Sequence, residues 1–240
     1  MKRLFILPLF TFILVFSTSV LSADAQNEPA IFEDGIQAAN NGDYSKAYEV
    51  FKALAKHGHA KAQASLGSMY VHGDGVPVDY TLAQKWFKLS AEQGTALAQY
   101  SLGLMSNLGH GVPKDNELAV HWYNLAAEQG YPAAQYNMGV SYFKGEGVAQ
   151  DYEHAYQWYK KAAVQGFTRA QFNLGWMSYK GLGVPLDAEL AYTWWKIAEL
   201  AGDKRAGGNL VEMKKEMLAS EIKTAQLKAE NCILNNFKGC

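Results

Sequence analysis

The chain has 240 residues, of which 49% are apolar and 13% aromatic, and its formal net charge is −1. The absence of a basic excess argues against a nucleic-acid partner. The apolar content is sufficient for a continuous packed core. After the N-terminal segment, no stretch is long and apolar enough to span a membrane.

The N-terminus has the pattern of a secretory signal. Lys2 and Arg3 precede an apolar run over residues 4–16, and Ala23 and Ala25 provide the small residues that a signal peptidase reads. This pattern predicts a signal peptide at 1–25, followed by a leader and N-terminal cap at 26–42. An uncleaved anchor is the alternative, but the run is shorter than the ~20 residues of a spanning helix.

A repeat of 36 residues without slippage follows. A fixed period of this size is typical of a solenoid in which one supersecondary unit stacks on copies of itself. Several series of residues keep the step, among them Asp43, Asp79, Asp115, Asp151 and Asp187; Ala47, Ala83, Ala119, Ala155 and Ala191; Gly67, Gly103, Gly139 and Gly175; Gly75, Gly111, Gly147 and Gly183; and Trp86, Trp122, Trp158 and Trp194.

One copy, residues 79–112, shows how each unit is expected to fold into two helices. Asp79 is placed to cap a first helix, helix A, and Gly94 to end it. A second helix, helix B, begins near Ala96 and carries Gly103 in its middle. A mid-helix glycine is unfavourable by about 1 kcal/mol relative to alanine. We therefore expect a close approach there, by the ring of Trp86 or its neighbour on helix A.

The tryptophans divide into two sets. Those that keep the 36-residue step are expected in the core, between helix A and helix B, whereas Trp176 and Trp195 fall outside the series. Trp176 is therefore the better candidate for a contact residue.

The C-terminus departs from the repeat. The array is predicted over 43–218, and Ser220 and Glu221 are placed to cap a further amphipathic helix over 219–240. Cys232 and Cys240 are the two cysteines of the chain. In an exported protein they predict a disulfide; a metal pair or free thiols are the alternatives.

The repeat motif resembles the Sel-one-like repeat (SLR), a relative of the tetratricopeptide repeat. The resemblance covers about residues 43–210. It implies an all-α fold, a right-handed α/α superhelix of about five helix-turn-helix repeats with N- and C-terminal capping helices, whose concave face binds proteins or peptides. Exported bacterial relatives act as adaptors, and cysteine-rich ones are described as β-lactamase-like or penicillin-binding. The repeats of this chain lack cysteine. The clearest copy comprises Ala155, Trp158, Tyr159, Ala162, Ala163, Gly166, Ala170, Gln171, Leu174, Gly175, Gly181, Gly183 and Val184.

The sequence contains one incomplete catalytic motif and no metal-site motif. Ser141 and Lys144 form a Ser-x-x-Lys pair like that of penicillin-interacting enzymes, but Ser220 and Lys223 repeat it, and the companion motifs are absent. The histidines lack zinc-site spacing, so neither a metal nor a cofactor is predicted. They are His57, His59, His72, His110, His121 and His154.

A polar row on helix A lies opposite its apolar side and differs from repeat to repeat. This row, together with Trp176, is the predicted binding surface. The row comprises Thr81, Lys85, Lys88, Glu117, His121, Asn124, Glu153, Gln157, Lys160, Glu189, Thr193 and Lys196.

The favoured hypothesis is an exported, periplasmic, non-enzymatic scaffold that binds a protein or peptide. The alternatives are an envelope hydrolase acting through Ser141 and Lys144, and peptidoglycan binding through Trp176 and Tyr152.

Overall fold

The computed structural model describes residues 18–237 and Cys240. Most of the predicted signal peptide, residues 1–17, lies outside the described residues. The described part folds into twelve helices. They are α1 (Thr18–Asn40), α2 (Tyr44–Lys56), α3 (Ala60–His72), α4 (Tyr80–Glu92), α5 (Ala96–Leu108), α6 (Asn116–Glu128), α7 (Pro132–Lys144), α8 (Tyr152–Ala163), α9 (Thr168–Lys180), α10 (Ala188–Leu200), α11 (Lys204–Met213) and α12 (Ala219–Leu234).

The helices pair into five repeats, in which α2, α4, α6, α8 and α10 are the A helices and α3, α5, α7, α9 and α11 the B helices. Each helix from α1 to α10 packs on the next one in the chain, whereas α12 returns to pack on α10. The prediction of an all-α solenoid is confirmed. The contact between a B helix and the next A helix is more extensive than the contact within a repeat. We call this contact the repeat interface.

The helix ends predicted within the repeats are confirmed. Asp79 Oδ1 accepts a hydrogen bond of 2.9 Å from the backbone N–H of Leu82, and the other four periodic aspartates make the same bond. Gly94 follows α4 with a φ of +86°, in the left-handed region that ends a helix. Pro132 occupies the first turn of α7. Local chemistry therefore sets these helix ends.

The mid-helix glycines lie at the repeat interface. A Cβ added to Gly103 would lie 2.5 Å from Cδ1 of Tyr123, in the A helix of the next repeat. The sequence led us to expect the ring of Trp86 or of its neighbour, on the helix A that precedes Gly103. The contacting ring is at the neighbour's repeat position, but it belongs to the helix A of the next repeat, so the prediction is wrong about the repeat. Stacking of successive repeats decides which ring meets the glycine. The same contact pairs Gly67 with Phe87, Gly139 with Tyr159 and Gly175 with Trp195.

The tryptophan prediction is corrected for the same reason. Trp194 and Trp158 are buried, but Trp86 and Trp122 remain partly exposed. Trp195, which was placed outside the core series, is buried against Gly175, and its Nε1 donates to the carbonyl of Phe172 at 3.0 Å. The ring that meets each mid-helix glycine is thus that of the residue after the periodic tryptophan.

Both ends of the stack are covered. The helix α1 packs on α2, and a Cβ on Gly35 would lie 2.6 Å from the ring of Phe51. At the other end Ala225, Ala229 and Cys232 form the buried face of α12. The cap of α12 is Leu218, whose N–H donates to Glu221 at 2.8 Å, rather than Ser220 as predicted.

The predicted disulfide joins Cys232 to Cys240, with their Cα atoms 5.6 Å apart. It ties the C-terminal residue to the last turns of α12. In the described part, no helix combines the length and the apolar content that crossing a membrane would need.

Candidate binding surface

The Ser-x-x-Lys pair does not form a catalytic arrangement in the structure. Ser141 is 7% exposed and lies inside the array, as the sequence led us to expect. The amine of Lys144 lies 3.7 Å from the carboxylate of Glu146, and no hydrogen bond joins it to Ser141. A serine is activated by a base within hydrogen-bond reach, so the hydrolase alternative has no geometric support.

The histidines are dispersed among local contacts. His154 donates its backbone N–H and directs its ring toward Asp151, at 2.9 and 2.8 Å, and these bonds hold the pKa of the Asp151 carboxyl below its ordinary value. His59 caps α3 by accepting from the N–H of Ala62. Between residues 18 and 237, no three His, Cys, Asp or Glu side chains group together as metal ligands would.

Trp176 and Tyr152, the predicted carbohydrate-stacking residues, are both half-buried and pack on Phe143. Their ring centroids lie 5.7 and 5.3 Å from that of Phe143. Trp176 also lines an open cleft with Tyr159 and Phe172. The rings are therefore engaged with protein, and the peptidoglycan alternative gains no support.

The predicted polar row is mostly accessible. Its members in α4 and α6, and most of those in α8, are exposed, whereas Lys160, Glu189 and Lys196 are half-buried. The exposed members are Thr81, Lys85, Lys88, Glu117, His121, Asn124, Glu153 and Gln157.

The prediction fails at Thr193, which is only 4% exposed. Its hydroxyl donates to the carbonyl of Glu189 at 2.8 Å, and it approaches the carbonyl of Ala225 in α12 at 3.4 Å. A threonine can satisfy its hydroxyl in this way, whereas the lysine, histidine or glutamine of the other repeats would place a longer polar group beneath α12.

The helix α12 packs over the helix A face of α10. Lys228 forms an ion pair with Glu189, and Gln226 donates to the hydroxyl of Tyr192 at 3.3 Å. Ala229 and Cys232 of α12 belong to the same buried cluster as Trp194 and Ile197 of α10. In the last repeat, α12 therefore takes up much of the face that is open in α4 and α6.

The sequence analysis missed an apolar stripe beside the polar row. In α4 and α6 it consists of leucine, tryptophan and leucine at spacings of four and three, so the three side chains share one face of the helix. All four leucines are more than a third exposed. The signal was available, since Leu82, Leu118 and Leu190 keep the 36-residue step. We define the apolar stripe as Leu82, Trp86 and Leu89 of α4 together with Leu118, Trp122 and Leu125 of α6.

The stripe ends at α8. The positions of its leucines are taken there by His154 and Lys161, and the Lys161 ammonium lies 3.8 Å from the ring centroid of Trp158. The helix A surface thus has an apolar part on α4 and α6, a polar part on α8, and a covered part on α10.

The comparisons with known proteins identify the family. A profile of the Sel1 repeat matches four consecutive segments, residues 60–95, 96–131, 132–167 and 168–203, which together form more than half of the chain. The chain belongs to the Sel1 repeat family. Each matched segment begins with a B helix and ends with the next A helix. No match was found among proteins of curated function.

Two solved structures are similar in both sequence and fold. One is a protective antigen of uropathogenic Escherichia coli with an SLR fold, at 32% identity and a TM-score of 0.76 over 88% of this chain and 47% of that one. The other is a Sel1 repeat protein from Oxalobacter formigenes, at 40% identity and a TM-score of 0.66 over 70% and 49%. This chain spans about half the length of each.

An immunity protein from Pseudomonas aeruginosa shares only the fold, at 17% identity and a TM-score of 0.52 over 88% of this chain and 84% of that one.

Proposed function

We propose that this protein is an exported, periplasmic scaffold that binds a protein or peptide partner through its helix A surface, without catalysis. The observation that carries the proposal is the combination, on α4, α6 and α8, of exposed leucines with polar residues that change from repeat to repeat. A repeated core with a varied surface suits recognition, because the scaffold fixes the spacing while the side chains select the partner.

Export is supported by the N-terminal pattern and by the disulfide, which persists in oxidising compartments. A fusion of residues 1–30 to alkaline phosphatase, which is active only outside the cytoplasm, tests it. We expect phosphatase activity, and Leu9→Arg in the apolar run should abolish it. A fusion that accumulates in the cytoplasmic fraction without phosphatase activity would contradict export.

Binding is tested by affinity capture from envelope extract with residues 26–240 as bait. The variant Lys85→Glu, Lys88→Glu and Glu117→Lys reverses three exposed charges on the row. The matched control Lys61→Glu reverses an exposed charge on α3, a B helix. We expect a partner that is retained by the control and lost by the row variant, since charged rims steer association. A partner set insensitive to the row would refute this location.

A further inference from the structure

We infer that the apolar stripe binds an amphipathic α-helix of the partner, in the way that α10 binds α12. The inference rests on the proposed function and specifies the chemistry of the partner. The A helices α4, α6 and α10 have the same length and the same aspartate cap. Of these three, α10 has α12 packed on it, so a covered helix can be compared with two uncovered ones.

Burial differs sharply between the covered and the uncovered helix. Leu89 and Leu125 are 38% and 37% exposed, whereas Ile197, at the same repeat position, is 1% exposed. Ile197 shares a buried cluster with Ala229 and Cys232 of α12, which accounts for its burial. The tryptophans do not make the same distinction, because Trp158 of α8 is buried like Trp194 although α12 does not pack on α8.

The spacing of side chains favours a helix as the occupant. The buried face of α12 consists of Ala225, Ala229 and Cys232, at spacings of four and three residues. The stripe on α4 has the same spacings. Small residues on one helix let its axis approach the large side chains of the other, so two such stripes fit along their length.

The charged residues beside the stripe indicate which charges the bound helix should carry along its flank. Lys228 of α12 pairs with Glu189, and Glu117 holds the same position in α6. Within the described residues, no ion pair involves Glu117, Lys85 or Lys88. The bound helix should therefore present a basic residue to Glu117 and acidic residues to the two lysines.

The probe is a peptide of residues 218–235 with Cys232→Ala, which keeps the small-residue face and Lys228. An isolated helix of this length is marginal in water. A lactam between Lys223 and a Leu227→Glu substitution holds it helical, and both positions lie on the face opposite Ala225 and Ala229. Binding to residues 26–240, with the disulfide intact, is measured by fluorescence anisotropy of the labelled peptide.

We expect saturable binding that Leu118→Ser with Leu125→Ser weakens at least tenfold. The control Leu97→Ser with Leu108→Ser removes two comparably exposed leucines from α5, a B helix, and should bind like the wild type. Thermal unfolding verifies that both variants fold. Glu117→Lys should weaken binding, and Lys228→Glu in the peptide should restore it.

Three results would overturn the inference. Binding unaffected by the α6 substitutions, and equally unaffected by Leu82→Ser with Leu89→Ser in α4, would mean that the peptide binds elsewhere, for example by displacing α12 from α10. Dimerisation of the chain in sedimentation, lost on the same substitutions, would make a second copy the occupant. No binding of the helical peptide would exclude this class of ligand, while envelope capture sensitive to the polar row would still leave the proposed function standing.

Discussion

Gln129 donates a hydrogen bond of 2.7 Å from its side-chain amide to Oε1 of Gln99, 30 residues earlier, across a repeat interface. Gln93 with Gln63 and Gln165 with Gln135 make the same bond. The accepting residues, Gln63, Gln99 and Gln135, also donate from Nε2 to a backbone carbonyl. Both the oxygen and the nitrogen of each buried side-chain amide therefore have a hydrogen-bond partner. The series breaks at Gln171, whose Oε1 is buried without a partner, because the matching donor position is Ala201.

Ala201→Gln should complete the series and stabilise the protein. Residue 201 is an exposed helix C-cap, with backbone angles close to those of Gln93 and Gln129. A hydrogen bond to a buried, unsatisfied acceptor is worth about 1 kcal/mol. We expect a gain of this size in the free energy of unfolding, measured in urea. With Gln171→Met in the background the acceptor is gone, so an equal gain there would refute the explanation.

Gly103→Ala should destabilise the array by about 1–3 kcal/mol, because the new methyl group overlaps the ring of Tyr123. Gly208→Ala is the matched control. Gly208 lies in α11 with no atom within 4 Å of its Cβ position, so alanine should stabilise that helix by up to about 1 kcal/mol. Thermal and urea unfolding of both variants would measure the difference. Equal effects would show that the glycine is not there for clearance.

Alkaline pH should destabilise the fold through its buried tyrosines. Burial raises the pKa of Tyr123 and of Tyr159, and burial together with a hydrogen bond to Tyr48 raises the pKa of Tyr70 to about 12. In the unfolded chain tyrosine ionises near pH 10. Above that pH the unfolded state releases protons that the folded state keeps, so stability falls as the pH rises.

Urea unfolding at pH 8 and pH 11 measures this loss. We expect Tyr123→Phe and Tyr159→Phe each to reduce it, whereas Tyr44→Phe, at an exposed position, should leave it unchanged. If all three variants had the same pH dependence, buried tyrosines would not be its source.

Removing the disulfide should release α12 before the repeats melt. A cross-link closing so short a loop stabilises by about 2.5 kcal/mol in the chain-entropy model. Cys232→Ser with Cys240→Ser should therefore increase amide hydrogen exchange in α12 and shift Trp194 fluorescence to the red. Stability in a stack is local, so exchange in α4–α7 should not change. Loss of protection throughout the chain would contradict this independence.

The sequence specified the repeat and its helix ends because these depend on local chemistry, as at Asp79 and Gly94. It failed where stacking decides the contact. Trp122 and Tyr123 are adjacent in the chain, and only the stacking of repeats selects Tyr123 as the ring that meets Gly103. Thr193 was misplaced because no periodicity shows that α12 returns to cover α10. The leucines of the stripe were periodic too, but the period does not reveal which apolar positions stay exposed.

The position of the repeat interface has a consequence for how such proteins change. A segment that starts at a B helix, such as residues 96–131, contains both Gly103 and Tyr123, and both Gln99 and Gln129. Duplication or loss of such a segment keeps its tightest contacts intact and joins ends of the same kind. The number of repeats can therefore vary in evolution while the fold stays constant, and the length of the solenoid changes with that number.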